Sequence, residues 1–366
     1  MPTTQVDRRE RKIDRILATI DRELKLVLWL TPENLAAEQE AFLSGKRKNP
    51  VFTYPKPDIA LKKIESELAA LEFPRSIIGK LLQKKAEELA LRCRLVRAIG
   101  TRKFNDLSVE LYGVPDVRTL AEARSIVRDL PTTPMDLQPL GPTLSARAVV
   151  NILREMLERY QLEDWDVKQT NIIVSGVVVS PNQRLVWVRR GATLEIDRLA
   201  SIITHEIKTH VLTTANGALQ PLEIFVTGFA GYLKTQEGLA AYNVSKQHPD
   251  LTRPQRFWAR NALAVDLARK KSFRGVYESI RKLGFDARYA FGVTTKVKRG
   301  FSDTSEPGAF TKDYVYLAGR HEVQHFIEHG GRLQDLYLGK INISDVDTLS
   351  DLPWIVQPRY LPEFVV

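Results

Sequence analysis

The sequence predicts an α+β fold: a small, mostly antiparallel sheet, a long helix carrying histidine and glutamate, and a large helical surround. Three observations lead there. Residues 7–130 repeat apolar positions at helical spacing almost throughout. Residues 165–191, "WDVKQTNIIVSGVVVSPNQRLVWVRRG", contain runs rich in Val and Ile broken by turn residues, and read as strands. Directly after them, "TLEIDRLASIITHEIKTHVL" (193–212) reads as one long helix.

Each element has its own justification. "IDRILATIDRELKLVLWL" (13–30) places Ile13, Ile16, Leu17, Ile20, Leu24 and Val27 on one helical face. "IALKKIESELAAL" (59–71) does the same with Ile59, Leu61, Ile64, Leu68 and Leu71. A longer helix starts near Arg75 and stops near Gly100. Between the first two, "SGKRKNPVFTYPKPD" (44–58) holds Pro50, Pro55 and Pro57, so it must be a loop or an extended arm. "LPTTPMDLQPLGPT" (130–143) has four prolines and a glycine and reads as a linker. It divides an N-terminal helical subdomain, 1–143, from a second domain, 144–366. Ser145 caps the next helix, "ARAVVNILREMLERY". Pro181-Asn182 turns the chain into the strand "RLVWVRR". In the helix that follows, Ile196, Leu199, Ile202 and Ile203 are expected to face inward, and the chain from about 221 is mainly helical.

Composition narrows the function classes. A chain of 366 residues can bury a substantial core. No apolar run approaches the ~20 residues of a membrane span. The N-terminus mixes acids with bases and resembles neither a secretory signal nor a transit peptide. The one cysteine, Cys93, cannot form a disulfide within the chain; it reads as core filling in a reducing compartment, and a cytoplasmic location is expected. The net charge of +10 favours acidic partners, but its lysines and arginines are interleaved with acids and no nucleic-acid motif is present. A solvated basic surface is therefore preferred over a nucleic-acid groove.

Two histidine motifs compete for chemistry. "SIITHEIKTHVL" (201–212) holds His205, Glu206 and His210. On a regular α-helix a separation of five leaves two side chains ~140° apart, against ~40° for a separation of four. His205 and His210 share a face only if a π-bulge accommodates the extra residue between them. Glu237, in "GYLKTQEGLAAYNV", stands among apolar neighbours, where a carboxylate needs a partner. A metal is one such partner; partial exposure beside Gly238 is the other explanation. The second motif, "RHEVQHFIEHGG", spaces His321, His325 and His329 at steps of four with Glu322 after the first. No strand immediately precedes it and no glutamate-bearing helix follows, so it reads as a polar helical face, with an incidental surface metal site as the other option. His248 lies in a loop and carries no signal.

"HEIKTH", "TTANGALQPL", "TGFAGYLKTQEGLAAYNV" and "RGFSDTSEPGAFTKDYVYLAG" together resemble the microtubule-associated tyrosine carboxypeptidase family, which includes bacterial relatives marked by a QEGLA motif. The resemblance covers at least residues 145–340, and "NPVFTYPKP" extends it upstream. It implies a zincin-like metallopeptidase in which His205, His210 and Glu237 hold one Zn2+ per chain and Glu206 is the general base. A carboxypeptidase must also hold a terminal carboxylate. Arg299 and Lys312, in segments matching the family, are the candidates, with Tyr316 donating to the oxyanion. The expected reaction is hydrolysis of the last peptide bond of a peptide or protein, releasing an aromatic residue, Tyr or Phe. The family's eukaryotic members act on the acidic tail of tubulin; an acidic C-terminus suits the basic charge here, and tubulin itself is left open. An aminopeptidase or endopeptidase of the same class, and a non-enzymatic protein retaining the fold, are the alternatives. No oligomeric state is legible in the sequence.

Overall fold

The computed structural model describes residues 5–130, 142–173 and 176–365. The linker expected at 130–143 lies outside the described residues apart from its ends.

The N-terminal part is helical. Asp7 caps the helix Arg8–Glu23, accepting from the Arg9 amide while Glu10 reaches back to the Asp7 amide. The helix buries Ile13, Leu17 and Ile20 and stops at Glu23, earlier than its apolar pattern suggests. Leu24 and Lys25 leave helical geometry, and a short helix, Leu26–Trp29, restarts in a new phase. Trp29 then points inward and Val27, expected on the buried face, is 56% exposed. Helices Leu61–Ala69 and Ile77–Arg97 follow, the second capped by Ser76. The proline-rich arm is extended. Val51 bridges Asp303, the Phe52 amide donates to the Ser302 carbonyl, and the Phe52 ring packs with Phe273.

Two small sheets follow. Strands β1 (Thr143–Ser145) and β5 (Thr193–Glu195) form an antiparallel ribbon. The other sheet has the order β2 (Asp166–Thr170), β4 (Leu185–Arg189), β3 (Val177–Ser180). It is mixed: β4 pairs parallel with β2 and antiparallel with β3. Val186 and Val188 of β4 are buried against the helix Ala146–Arg159, whose cap is Ser145. β3 is one of the two edge strands, and it lies beside the helix that carries His205.

The largest apolar cluster runs from Val6 to Leu349 and mixes the N-terminal helices with the sheet and the later helices. A second cluster gathers the helices Thr252–Ala268, Phe273–Lys282 and Ala287–Lys298. The helices Tyr232–Gln247 and Val315–Glu328 cross at Gly238 and Gly319, where the backbones touch. A Cβ built on Gly238 would lie 2.2 Å from the Gly319 carbonyl carbon. This crossing sets the depth of Glu237, one residue earlier. Among the described residues, no helix is long and apolar enough to cross a membrane.

Candidate active site

The helix expected at 193–212 begins at Ile196, directly after β5, and Ile196 is 49% exposed rather than inward. It runs as an α-helix through Ile202, widens into a π-helix over Ile203–Val211, and returns to α-helix at Leu212–Leu219. The Leu212 amide bonds the Ile207 carbonyl, five residues back. The wider coil takes up the extra residue between the histidines, as the spacing demanded. The His205 and His210 rings stand 4.8 Å apart at 84°.

Glu237 meets them from the crossing helix. Its Oε2 is 3.5 Å from His205 Nε2 and 3.7 Å from His210 Nε2. That oxygen is buried and has no hydrogen-bond partner. Two ligands about 2.1 Å from a tetrahedral ion stand roughly 3.4 Å apart, so the separations suit three ligands around one zinc better than direct hydrogen bonds. Among the described residues these three form the one group of histidines, cysteines and carboxylates close enough to share an ion. Burial pushes the Glu237 carboxyl up, but the two imidazoles outweigh it and hold the group well below the usual carboxylate range.

Glu206 is beside this trio. Burial raises its pKa to about 7, with the Glu237 charge adding to the rise and His205 and the Val179 amide opposing it. Val179 belongs to the edge strand β3, which packs beside this segment of the helix.

Aromatic rings lead away from His205. The Tyr316 ring stacks on it at 6.3 Å, and Phe257 meets Tyr316 edge-on at 5.7 Å. Burial holds the Tyr316 phenol well above its ordinary pKa, so its proton is retained. Beyond Phe257 lies a concentration of positive charge that the sequence reading only partly identified. Arg299 is 3.8 Å from Asp313 and lies over the Phe310 ring. Lys312 is half-buried, and its charge reaches Lys296. Lys296 and Arg260 were missed. Lys296 is an exposed residue whose ammonium sits 5.5 Å above Phe257. Burial lowers its pKa; Asp313 opposes this, and Arg260, Arg299 and Lys312 add to it. Arg260 is wedged among Phe257, Phe285 and Tyr289, and burial lowers it to about 9. The signal for Lys296 was in "KVKRG", a run of basic residues around Arg299, in which Lys296 lies on the helix Ala287–Lys298 and Arg299 directly follows its end.

The regular HExxH has other duties. It lies on the helix Val315–Glu328, and His321 is buried with its Nε2 paired to Glu122, which also holds Arg320. Glu322 pairs with Lys234. The His325 and His329 rings stack at 3.9 Å, and His329 Nδ1 donates to the His325 carbonyl. His321 is thus spent on a hydrogen bond to Glu122 and Glu322 on an ion pair, and the motif joins the helix Val117–Asp129 to the rest. His248, which showed no signal, ends the helix Tyr232–Gln247 and hydrogen-bonds the Thr204 hydroxyl at 2.9 Å.

A family model described as microtubule-associated tyrosine carboxypeptidase matches residues 39–366. The chain belongs to this family. Microtubule-associated tyrosine carboxypeptidase 1 of Mus musculus is 32% identical over 336 residues, which are 88% of this chain and 62% of that protein. The Rattus norvegicus protein of the same name matches to the same extent. That of Homo sapiens is 34% identical over 161 residues, 41% of this chain and 32% of the relative. The chain thus spans less than two thirds of the length of these family members.

Proposed function

We propose that this protein is a zinc-dependent, zincin-like carboxypeptidase that removes an aromatic residue from the C-terminus of a peptide or protein in the cytoplasm. The observation that carries the reading is the convergence of His205, His210 and Glu237 with Glu206 held beside them. The names of the family's members add the reaction class.

His205 Nε2, His210 Nε2 and Glu237 Oε2 would hold the ion. When bound, zinc supplies a Lewis acid for the scissile carbonyl and makes a water molecule more acidic. Glu206 takes a proton from water and delivers it to the nitrogen of the leaving residue. The Tyr316 hydroxyl, kept protonated by burial, donates to the carbonyl oxygen as negative charge grows there. Arg299, Lys312 and Lys296 hold the terminal carboxylate. Among the described residues, four cations gather near the Asp313 carboxylate and leave room for a second anion, which the terminal carboxylate of a substrate would supply. Phe257 and Tyr316 offer ring faces to an aromatic terminal side chain.

The test compares one peptide with a free and an amidated C-terminus. Turnover of the free acid only is expected; equal turnover of both would replace this reading with an endopeptidase. Glu206→Gln should keep zinc and lower kcat by at least ~100-fold, the lower end for loss of a general base. Retention of activity in Glu206→Gln would remove Glu206 from the chemistry.

A further inference from the structure

A π-helix breaks the regular ladder of backbone hydrogen bonds, and it persists only where something else satisfies the displaced groups. Here three buried side chains form a linked network on it, and one of them satisfies a displaced carbonyl. The Leu212 amide bonds Ile207 and Thr209, which takes away the partner that the Lys208 carbonyl would have in an α-helix. The Tyr337 hydroxyl donates to that carbonyl at 3.0 Å. The Thr209 hydroxyl donates to the Thr204 carbonyl at 2.9 Å. Asn243 Nδ2 donates to Thr209 Oγ1 and to the Tyr337 oxygen, each at 2.9 Å.

The proton directions are fully determined. Each hydroxyl spends its one hydrogen on a carbonyl, so each oxygen can only accept from Asn243. A single amide nitrogen with two hydrogens meets that need. Asn243 Oδ1 has no partner, so the amide is placed for its donors. Thr204 and Thr209 immediately precede His205 and His210, and Asn243 lies on the helix that carries Glu237. One cluster therefore ties both histidine positions to the third ligand's helix.

We propose that Thr209, Asn243 and Tyr337 are positioning residues that hold the π-helix open and so preorganise the three ligands for the ion. The proposal rests on the zinc reading above. Its test uses the purified full chain, stripped of metal, with two near-isosteric variants, Tyr337→Phe and Thr209→Val. Zinc affinity is measured by competition with a chelating dye, and amide hydrogen exchange is followed over residues 203–212. Ser76→Ala, which removes a helix cap outside the site, is the control for general destabilisation. Both variants should bind zinc at least ~10-fold more weakly, as for lost outer-shell partners, and exchange faster across this segment. The control should do neither. If either variant fails to fold, the other decides. Variants that match the wild-type affinity, or a control that weakens binding as much, would overturn the positioning role while leaving the zinc site standing. A wild type that binds no zinc would overturn both.

Discussion

Lys296 and Asp14 show how burial acts on single charges in this molecule. Lys296 stands among other cations, and burial of its ammonium followed by those charges lowers its pKa, with Asp313 opposing them. A carboxylate arriving there gains a charge-assisted bond worth about 1.5–3 kcal/mol. Lys296→Met should therefore lower kcat/KM on a free-acid peptide by about 10- to 100-fold with the fold intact by circular dichroism. An unchanged value would leave carboxylate binding to Arg299 and Lys312. Asp14 is remote in role. It is buried, and its two oxygens accept the Glu223 and Ile224 amides, yet burial outweighs those bonds and raises its pKa to about 6. An acid whose folded pKa exceeds its unfolded value stabilises the fold most at low pH. Its contribution falls as pH rises from about 4 to about 6, by ~3 kcal/mol in all. The stability difference between wild type and Asp14→Asn should shift in that window, with wild type losing ground as pH rises; chemical denaturation at pH 4 and pH 6.5 measures it.

Among the elements, the helix pair that crosses at Gly238 and Gly319 decides where Glu237 sits. Both glycines lack room for a methyl group: a Cβ at Gly319 would lie 2.1 Å from the Lys234 carbonyl oxygen. Gly238→Ala should separate the helices, destabilise the fold by ~2 kcal/mol or more, and lower zinc affinity by displacing its neighbour. Gly292, in the helix Ala287–Lys298, has nothing within 4 Å of its Cβ position. Gly292→Ala should stabilise by about 0.5–1 kcal/mol through helix propensity alone. Thermal unfolding of the two variants gives opposite signs if this reading of the crossing is right, and a neutral Gly238→Ala would refute it.

Across the whole molecule, a net charge of +10 is spread over a surface rich in exposed ion pairs such as Arg9–Glu72 and Lys63–Glu67. Such pairs add little stability, so the charge matters mainly for what approaches the protein. KM for an acidic peptide should rise with salt between 50 mM and 300 mM, and KM for a neutral peptide of equal length should not. Parallel salt dependence of the two would assign the charge no part in substrate capture. The N-terminal helices contribute more than a covering. Arg92 and Lys85 pair with Asp21, and Glu88 accepts the Gly231 amide at the start of the helix that carries Glu237.

The sequence by itself determined the features that are local in the chain. Apolar spacing marked most helices, Ser145 marked a cap, and the five-residue step from His205 to His210 required a widened coil if the two were to act together. Glu206 was visible for the same reason, since its place follows from its neighbour's. The family motifs supplied Glu237, Arg299, Lys312 and Tyr316. Tertiary structure alone decided what depends on distant segments meeting. It brought Asn243 and Tyr337 to the π-helix, put Lys296 beside Phe257, and tied His321 to Glu122, so that among the described residues the irregular motif and not the regular one gathers with a carboxylate from another helix. Hydrogen bonds and charge clusters between residues tens of positions apart leave no periodic trace in the chain, because their geometry exists only after the helices have crossed.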